Sequence, residues 1–157
     1  MAKLIENNEM KGIQLKEGQT VLDVDGNEYL IEKGDVLQER TGDWRLPDRE
    51  ELNLMYENLY LKNIGWFENE AYWSSLEYNS GYSWAQDFVN GIQDSLNKYI
   101  KTQVRLVRVI PNEGYEIGDE TPTGFVVDEQ GARILECKKV DEDDKMDWDE
   151  AMQEFGA

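Results

Sequence analysis

The residues able to do chemistry are few in kind. The chain holds 34 carboxylates, one thiol at Cys137 and no histidine. Without imidazole there is no Ser-His-Asp triad, no histidine proton relay and no histidine metal site. A single cysteine makes neither an intrachain disulfide nor a thiolate cluster. It ends the strand candidate Ile134-Leu135-Glu136-Cys137 and reads as a small core residue. Paired carboxylates can serve as acid and base on a glycan at separations of about 5–9 Å. Among 34 acids such pairs arise by chance, so they point nowhere. The run Asp141-Glu142-Asp143-Asp144 supplies oxygen ligands, but without EF-hand spacing or its central glycine. It reads as a solvated acidic loop. No catalytic residue, metal ligand or cofactor is expected.

Binding is the chemistry that remains. Between Glu77 and Lys98 the residues Tyr78, Asn79, Ser80, Tyr82, Gln86, Asp87, Asn90, Gln93, Asp94, Ser95 and Asn97 mix aromatic rings with amides, carboxylates and hydroxyls. That mixture suits adaptable recognition surfaces. It is also the composition of an ordinary solvated β-loop, and both readings stay open.

The elements that must position these residues are legible in outline. Residues 1–12 read as a polar arm. Val21-Leu22-Asp23-Val24 and Glu28-Tyr29-Leu30-Ile31 flank Asp25-Gly26-Asn27, a hairpin signal. Lys33-Gly34-Asp35 is a second turn before Val36-Leu37. Asp48 with Glu51 three residues on is a capping box, followed by Leu52, Met55, Tyr56 and Leu59 at helical spacing. A helix is expected over about residues 49–61, stopped by Gly65. Tyr72–Ser75, Ser83–Phe88 and Val104–Ile110 are strand candidates. The last alternates apolar and basic residues, which predicts one buried and one wet face. Residues 78–82 and 90–97 read as turns. Phe125-Val126-Val127 and Ala132-Arg133-Ile134-Leu135 flank Asp128–Gly131 as a second strand pair. Asp147 with Glu150 is another capping box, and Trp148, Ala151, Met152 and Phe155 lie on one face of a closing helix over 148–155.

Charge bounds the partners. The formal net charge is −18. A chain so acidic, with no basic tract, is excluded as a nucleic-acid binder and is repelled by anionic membrane surfaces. The excess is uneven: residues 1–40 carry −4, residues 41–110 carry −3 and residues 111–157 carry −11. No stretch reaches 18 apolar residues, so no spanning helix and no membrane insertion are expected. The first ten residues lack the apolar core of a secretion signal. The aromatic content, five Trp, eight Tyr and four Phe, suits a packed core rather than disorder.

Gly42-Asp43-Trp44-Arg45-Leu46-Pro47, Glu50-Glu51-Leu52, Tyr72-Trp73-Ser74-Ser75, Trp84 to Phe88 and Val104 to Arg108 together resemble one family. It is the C-type-lectin-fold domain family typified by the C-terminal domain of a bacterial collagen-like adhesin. Gly118-Asp119, Gly124 to Asp128, Gly131 and Lys145 to Met152 resemble the opening half of the same pattern. Here that half follows instead of preceding, so the order is that of a circular permutation. The resemblance implies an α+β fold: twisted antiparallel sheets with two helices, in residues 41–157. Residues 1–40 would be an added β-rich module attaching to a protein partner. Segments 44–47 and 72–75 read as structural. The apolar face of the closing helix must dock on its own chain or on a neighbouring subunit, the latter giving a homo-oligomer. The resemblance further implies that residues 77–98 face outward towards a ligand. Calcium motifs of many C-type lectins are absent, and Pro111-Asn112-Glu113 lies beyond the strand that would carry such ligands. Formylglycine-generating enzymes share this fold class but work through cysteines that this chain lacks. The expectation is a non-enzymatic phage virion accessory protein, a head decoration or fibre component made in a host cytoplasm. Its ligand would be a host glycan or surface protein. A binding module outside a virion, a purely structural assembly subunit and, as a third reading, an enzyme of the formylglycine-generating type are the alternatives.

Overall fold

A computed structural model describes residues 19–22, 28–31 and 43–156. The chain falls into two compact units. One comprises residues 1–43, 109–114 and 130–134, and the other residues 44–108, 115–129 and 135–157. In the first, strand β1 (Gln19–Leu22) pairs antiparallel with β2 (Glu28–Ile31), Thr20 lying opposite Leu30. A hairpin is expected here, and its second strand has the expected bounds; the first begins two residues earlier than Val21, at Gln19. Its turn, the arm over 1–12 and the segment 33–37 lie outside the described residues. The architecture is α+β, with two helices and small antiparallel sheets.

The second unit opens with helix α1 (Arg49–Asn58). Its capping box forms as the spacing predicts: the Asp48 carboxylate accepts from Glu51 N–H at 2.8 Å, and Glu51 accepts from Asp48 N–H at 2.9 Å. The helix stops three residues short of the expected end. Leu59 leaves helical geometry, residues Tyr60–Lys62 tighten into a 3-10 turn, and Asn63 closes it at φ 59°.

Strands β3 (Ala71–Glu77), β4 (Tyr82–Asp87) and β5 (Gln93–Asn97) form an antiparallel sheet in that order. Strand β5 corrects the expectation of a turn over 90–97. Its residues have poor strand propensity, but all five pair with β4, from Tyr82 opposite Asn97 to Gln86 opposite Gln93. An edge strand with a wet side tolerates such polar residues, and the partner strand dictates the conformation.

The two faces of this sheet take different helices. Strand alternation puts Trp73, Ala85 and Leu96 on one face. They pack with Leu46, Val104, Leu106, Trp148 and Ala151, the last two from helix α2 (Trp148–Phe155). The other face carries Tyr72, Trp84, Gln86 and Gln93 and receives α1: Asn53 Oδ1 accepts from the Gln86 NH2, and Arg49 lies over Trp84. Helix α2 is where the sequence puts it, with the predicted capping box between Asp147 and Glu150. It docks on its own chain. Trp148 Nε1 donates to Ser74 O at 2.9 Å, Trp73 Nε1 to Met146 O at 2.9 Å, and Leu46 N–H to Phe155 O at 3.1 Å. Burying each large apolar side chain contributes roughly 1.5–3 kcal/mol, so this cluster is a main source of stability.

A third sheet has the order β6 (Val107–Pro111), β8 (Arg133–Lys138), β7 (Gly124–Gln130). The expected strand over 104–110 thus begins only at Val107. Its predicted wet basic face does not exist: Arg105 and Arg108 are both buried. Each is tolerated because a carboxylate meets it inside. Asp141 does so for Arg105 at 2.7 Å and Glu136 for Arg108 at 2.9 Å.

Candidate functional site

The recognition candidates divide along strand β4. At one end, residues 78–81 turn from β3 into β4. Tyr78 and Asn79 N–H both donate to Tyr82 O, and Asn79 Oδ1 accepts from Gly81 N–H at 2.9 Å and Tyr82 N–H at 3.0 Å. This network fixes the turn, leaving Tyr78, Asn79, Ser80 and Tyr82 exposed. Asn97 stands directly opposite Tyr82 and is half-buried, and Ser95 lies opposite Trp84 on the same face. The Tyr78 ring meets Trp84 edge-on at 5.3 Å, and the Arg49 guanidinium lies 3.7 Å from the centre of the Trp84 ring. Trp84 and Arg49 therefore belong to this surface. Their sequence signals were absorbed by a strand and a helix start, so neither stood out.

The other candidates lie elsewhere. Asp87 ends β4, about 16 Å from Tyr82 at roughly 3.3 Å per residue, and Asn90 lies in the turn beyond it. One Asp87 carboxylate oxygen accepts from Val89 N–H and the Asn90 amide oxygen from Ile92 N–H. Gln86 is fully buried, and its NH2 donates to Asn53 Oδ1 and Gly91 O. Gln93 donates to Arg49 O and Gln86 Oε1 and accepts from Arg49 Nε. Both amides knit α1 to the sheet, and Gln86 has no surface to offer a ligand. Asp94 is exposed, but pairs with Ala85 and so sits on the opposite face from Tyr82 and Asn97. The structure thus gathers Tyr78, Asn79, Ser80, Tyr82, Ser95 and Asn97 around Trp84.

Burial concentrates charge at two nodes. Arg105 donates from Nε to Asp141 Oδ1 at 2.7 Å and from its two amino groups to Gly65 O, Lys138 O and Trp66 O at 2.8, 3.1 and 3.1 Å. Its guanidinium lies 4.0 Å from the centre of the Phe67 ring. The Tyr72 hydroxyl donates to Asp141 Oδ2 and accepts from Glu68 N–H, each at 2.8 Å. Burial, reinforced by the Asp141 charge, pushes this phenol far above its ordinary range. At the second node Glu136 is fully buried and accepts from Arg108, Thr121 and Thr123. Both nodes have structural partners on every side and hold the segments they touch.

The acidic run is therefore not uniformly solvated. Asp141 belongs to the Arg105 node and Glu142 pairs with Lys138 at 3.2 Å, while Asp143 and Asp144 are exposed. Among the described residues no cluster of His, Cys, Asp and Glu is arranged to hold a metal ion. Cys137 is buried, as its strand context suggests. Burial raises its thiol to about 11, so it is protonated and out of reach of solvent at neutral pH. A groove of about 750 Å³ beside α2 is lined by Lys101, Lys145, Glu150 and neighbours. Its cations are already paired, Lys101 with Glu150 and Lys145 with Glu70. Among the described residues no helix is long and apolar enough to cross a membrane. Comparison with protein-family models, with curated proteins and with solved structures finds no match.

Proposed function

We propose that the chain is a non-enzymatic recognition module of permuted C-type-lectin-like fold. It would serve as an accessory component of a phage virion, a decoration or fibre protein, and offer the β3–β4 end of its sheet to a host glycan or surface protein. The observation that carries the recognition role is the Trp84 ring, met edge-on by Tyr78 and covered by the Arg49 guanidinium, beside the opposed pair Tyr82 and Asn97. Rigid aromatic rings next to amides and hydroxyls give a large contact area at low entropic cost. The hydrogen-bonded turn at 78–82 holds them ready before a ligand arrives. The permuted order is supported by the Leu46–Phe155 hydrogen bond, which brings the end of the tail half against the start of the half it would ordinarily precede. The virion setting follows from the family resemblance of the sequence.

The test has two arms. Labelled protein is applied to host cells and to a glycan array, alongside the double variant Tyr82→Ala with Asn97→Ala. Binding by the wild type and its loss in the folded double variant are expected. Equal binding by both rules out this surface. Purified particles are analysed by mass spectrometry, and absence of the chain from them rules out the virion role.

A further inference from the structure

A second concavity, of about 540 Å³, lies between Tyr60 and Asn69 and shares no residue with the β3–β4 surface. Its wall includes the most conspicuous backbone anomaly among the described residues. Trp66 has φ 55°, a conformation that bulky residues avoid and that persists only where the surroundings enforce it. The enforcement is visible. The buried Arg105 guanidinium grips the carbonyls of both Gly65 and Trp66, and Tyr72 holds Glu68 N–H. Gly65, at φ 98°, packs so closely on Phe67 that a Cβ there would come within 2.6 Å of the ring. The result is a rigid loop that presents the Trp66 indole 68% exposed, braced edge-on by Phe125 at 5.5 Å. A core-forming tryptophan has no need of such support. A recognition platform does.

The rest of the wall states the ligand class. Residues lining the pocket carry no charge. The Tyr60 hydroxyl donates to Asn69 Oδ1, which orients that amide and leaves its NH2 without a partner among the described residues. The Asn63 amide, held at φ 59°, likewise makes no side-chain hydrogen bond among them. An exposed indole face with negative quadrupole attracts the polarised C–H groups of a sugar ring. Two amides at the rim match hydroxyls, which both donate and accept. An uncharged wall on a chain of net charge −18 disfavours anions. We infer that this pocket binds a neutral pyranose sugar, stacked on Trp66 and hydrogen-bonded by Asn63 and Asn69. The site is separate from the β3–β4 surface and does not depend on the reading of that surface.

The experiment titrates the full chain with neutral methyl pyranosides of glucose, galactose, mannose and N-acetylglucosamine. Saturation-transfer NMR reads the sugar, and the assigned Trp66 indole resonance reads the protein. For a single ring of about a dozen heavy atoms a Kd of about 1 mM is expected for at least one sugar. Trp66→Ala and Asn69→Ala should each weaken binding at least about tenfold with an unchanged circular dichroism spectrum. The double variant Tyr82→Ala with Asn97→Ala should bind the sugar as the wild type does. Asn69→Ala, at an exposed position, decides the matter if Trp66→Ala fails to fold. The inference is overturned if no sugar shifts the Trp66 resonance at about ten times that concentration. It is equally overturned if Asn69→Ala binds undiminished, or if a proline-rich peptide or a second copy of the chain occupies the pocket and no sugar does.

Discussion

Arg105 and Asp141 lie 36 positions apart in the chain and meet at 2.7 Å, with the guanidinium fully buried. The pair fixes more than itself. Through Arg105 it holds the Gly65 and Trp66 carbonyls, and through Asp141 it orients the Tyr72 hydroxyl that receives Glu68 N–H. Removing one partner leaves an uncompensated buried charge, which costs about 3–5 kcal/mol. Asp141→Asn should therefore lower the unfolding free energy by about 3 kcal/mol in urea titration. Replacing both partners by apolar residues should not restore it, because three carbonyls would stay unsatisfied. A loss below about 1 kcal/mol, the range of surface pairs, would contradict the buried pairing.

Glu51 gives a pH signature. Burial raises its carboxyl, but the paired hydrogen bonds from Arg45, at 2.8 Å each, and the Asp48 N–H outweigh that and leave it below its ordinary 4.5. A carboxyl lowered by folding adds stability above its unfolded value and loses it as pH falls through the folded one. Stability should thus drop as pH falls from about 4.5 downward. Glu51→Gln should be less stable at neutral pH and show a shallower decline. Urea midpoints across that range for both proteins check this; parallel curves would refute it.

Cys137 should be silent until the fold opens. Burial sets its thiol near 11, so almost no thiolate exists at neutral pH and no reagent reaches it. A thiol-specific chromogenic reagent should modify none in the native protein and one in urea. The stability that depends on the neutral thiol is present below its unfolded value of about 8.5 and is lost as pH rises through about 11. Rapid modification of the native chain at neutral pH would remove Cys137 from the core.

What the sequence reveals and what it conceals follow from the range of the interactions. Both capping boxes span three residues, so Asp48 with Glu51 and Asp147 with Glu150 announce their helices. Strand β5 has no local signal: Gln93-Asp94-Ser95-Leu96-Asn97 becomes a strand because β4 pairs with it along its length. Arg105 and Arg108 interrupt an apolar run and imitate exposed positions, yet both are buried on partners 36 and 28 positions away. Gln86 belongs to a composition typical of recognition loops but is spent inside, between α1 and β5. The Tyr78 to Tyr82 turn was legible from its residues. The loop that presents Trp66 was not, since the arginine that shapes it is some 40 residues distant. Gly124 illustrates a constraint invisible in sequence, for a Cβ there would fall 2.0 Å from Cys137 O.

Ser83 reverses the usual direction of a core substitution. It is fully buried in β4, and its hydroxyl is the one buried side-chain polar group without a hydrogen bond among the described residues. Its register partner Leu96 packs against the cluster of Trp73, Ala85 and Trp148, so the hydroxyl faces an apolar surrounding. A buried polar group left unpaired costs about 1–3 kcal/mol, and alanine removes it with the loss of a single heavy atom. The vacated space is smaller than a methylene cavity that would carry a comparable penalty. Ser83→Ala should therefore raise the unfolding free energy by about 1 kcal/mol, with a matching rise in Tm. The buried serine of β3 behaves differently. Ser74 Oγ donates to Trp84 O at 2.7 Å and accepts from Leu76 N–H at 3.1 Å. Ser74→Ala strands both groups and should destabilise by about 1–3 kcal/mol. Opposite signs for the two serines, measured side by side in urea, separate hydrogen-bond satisfaction from side-chain volume. The same sign for both would mean that Ser83 has found a partner.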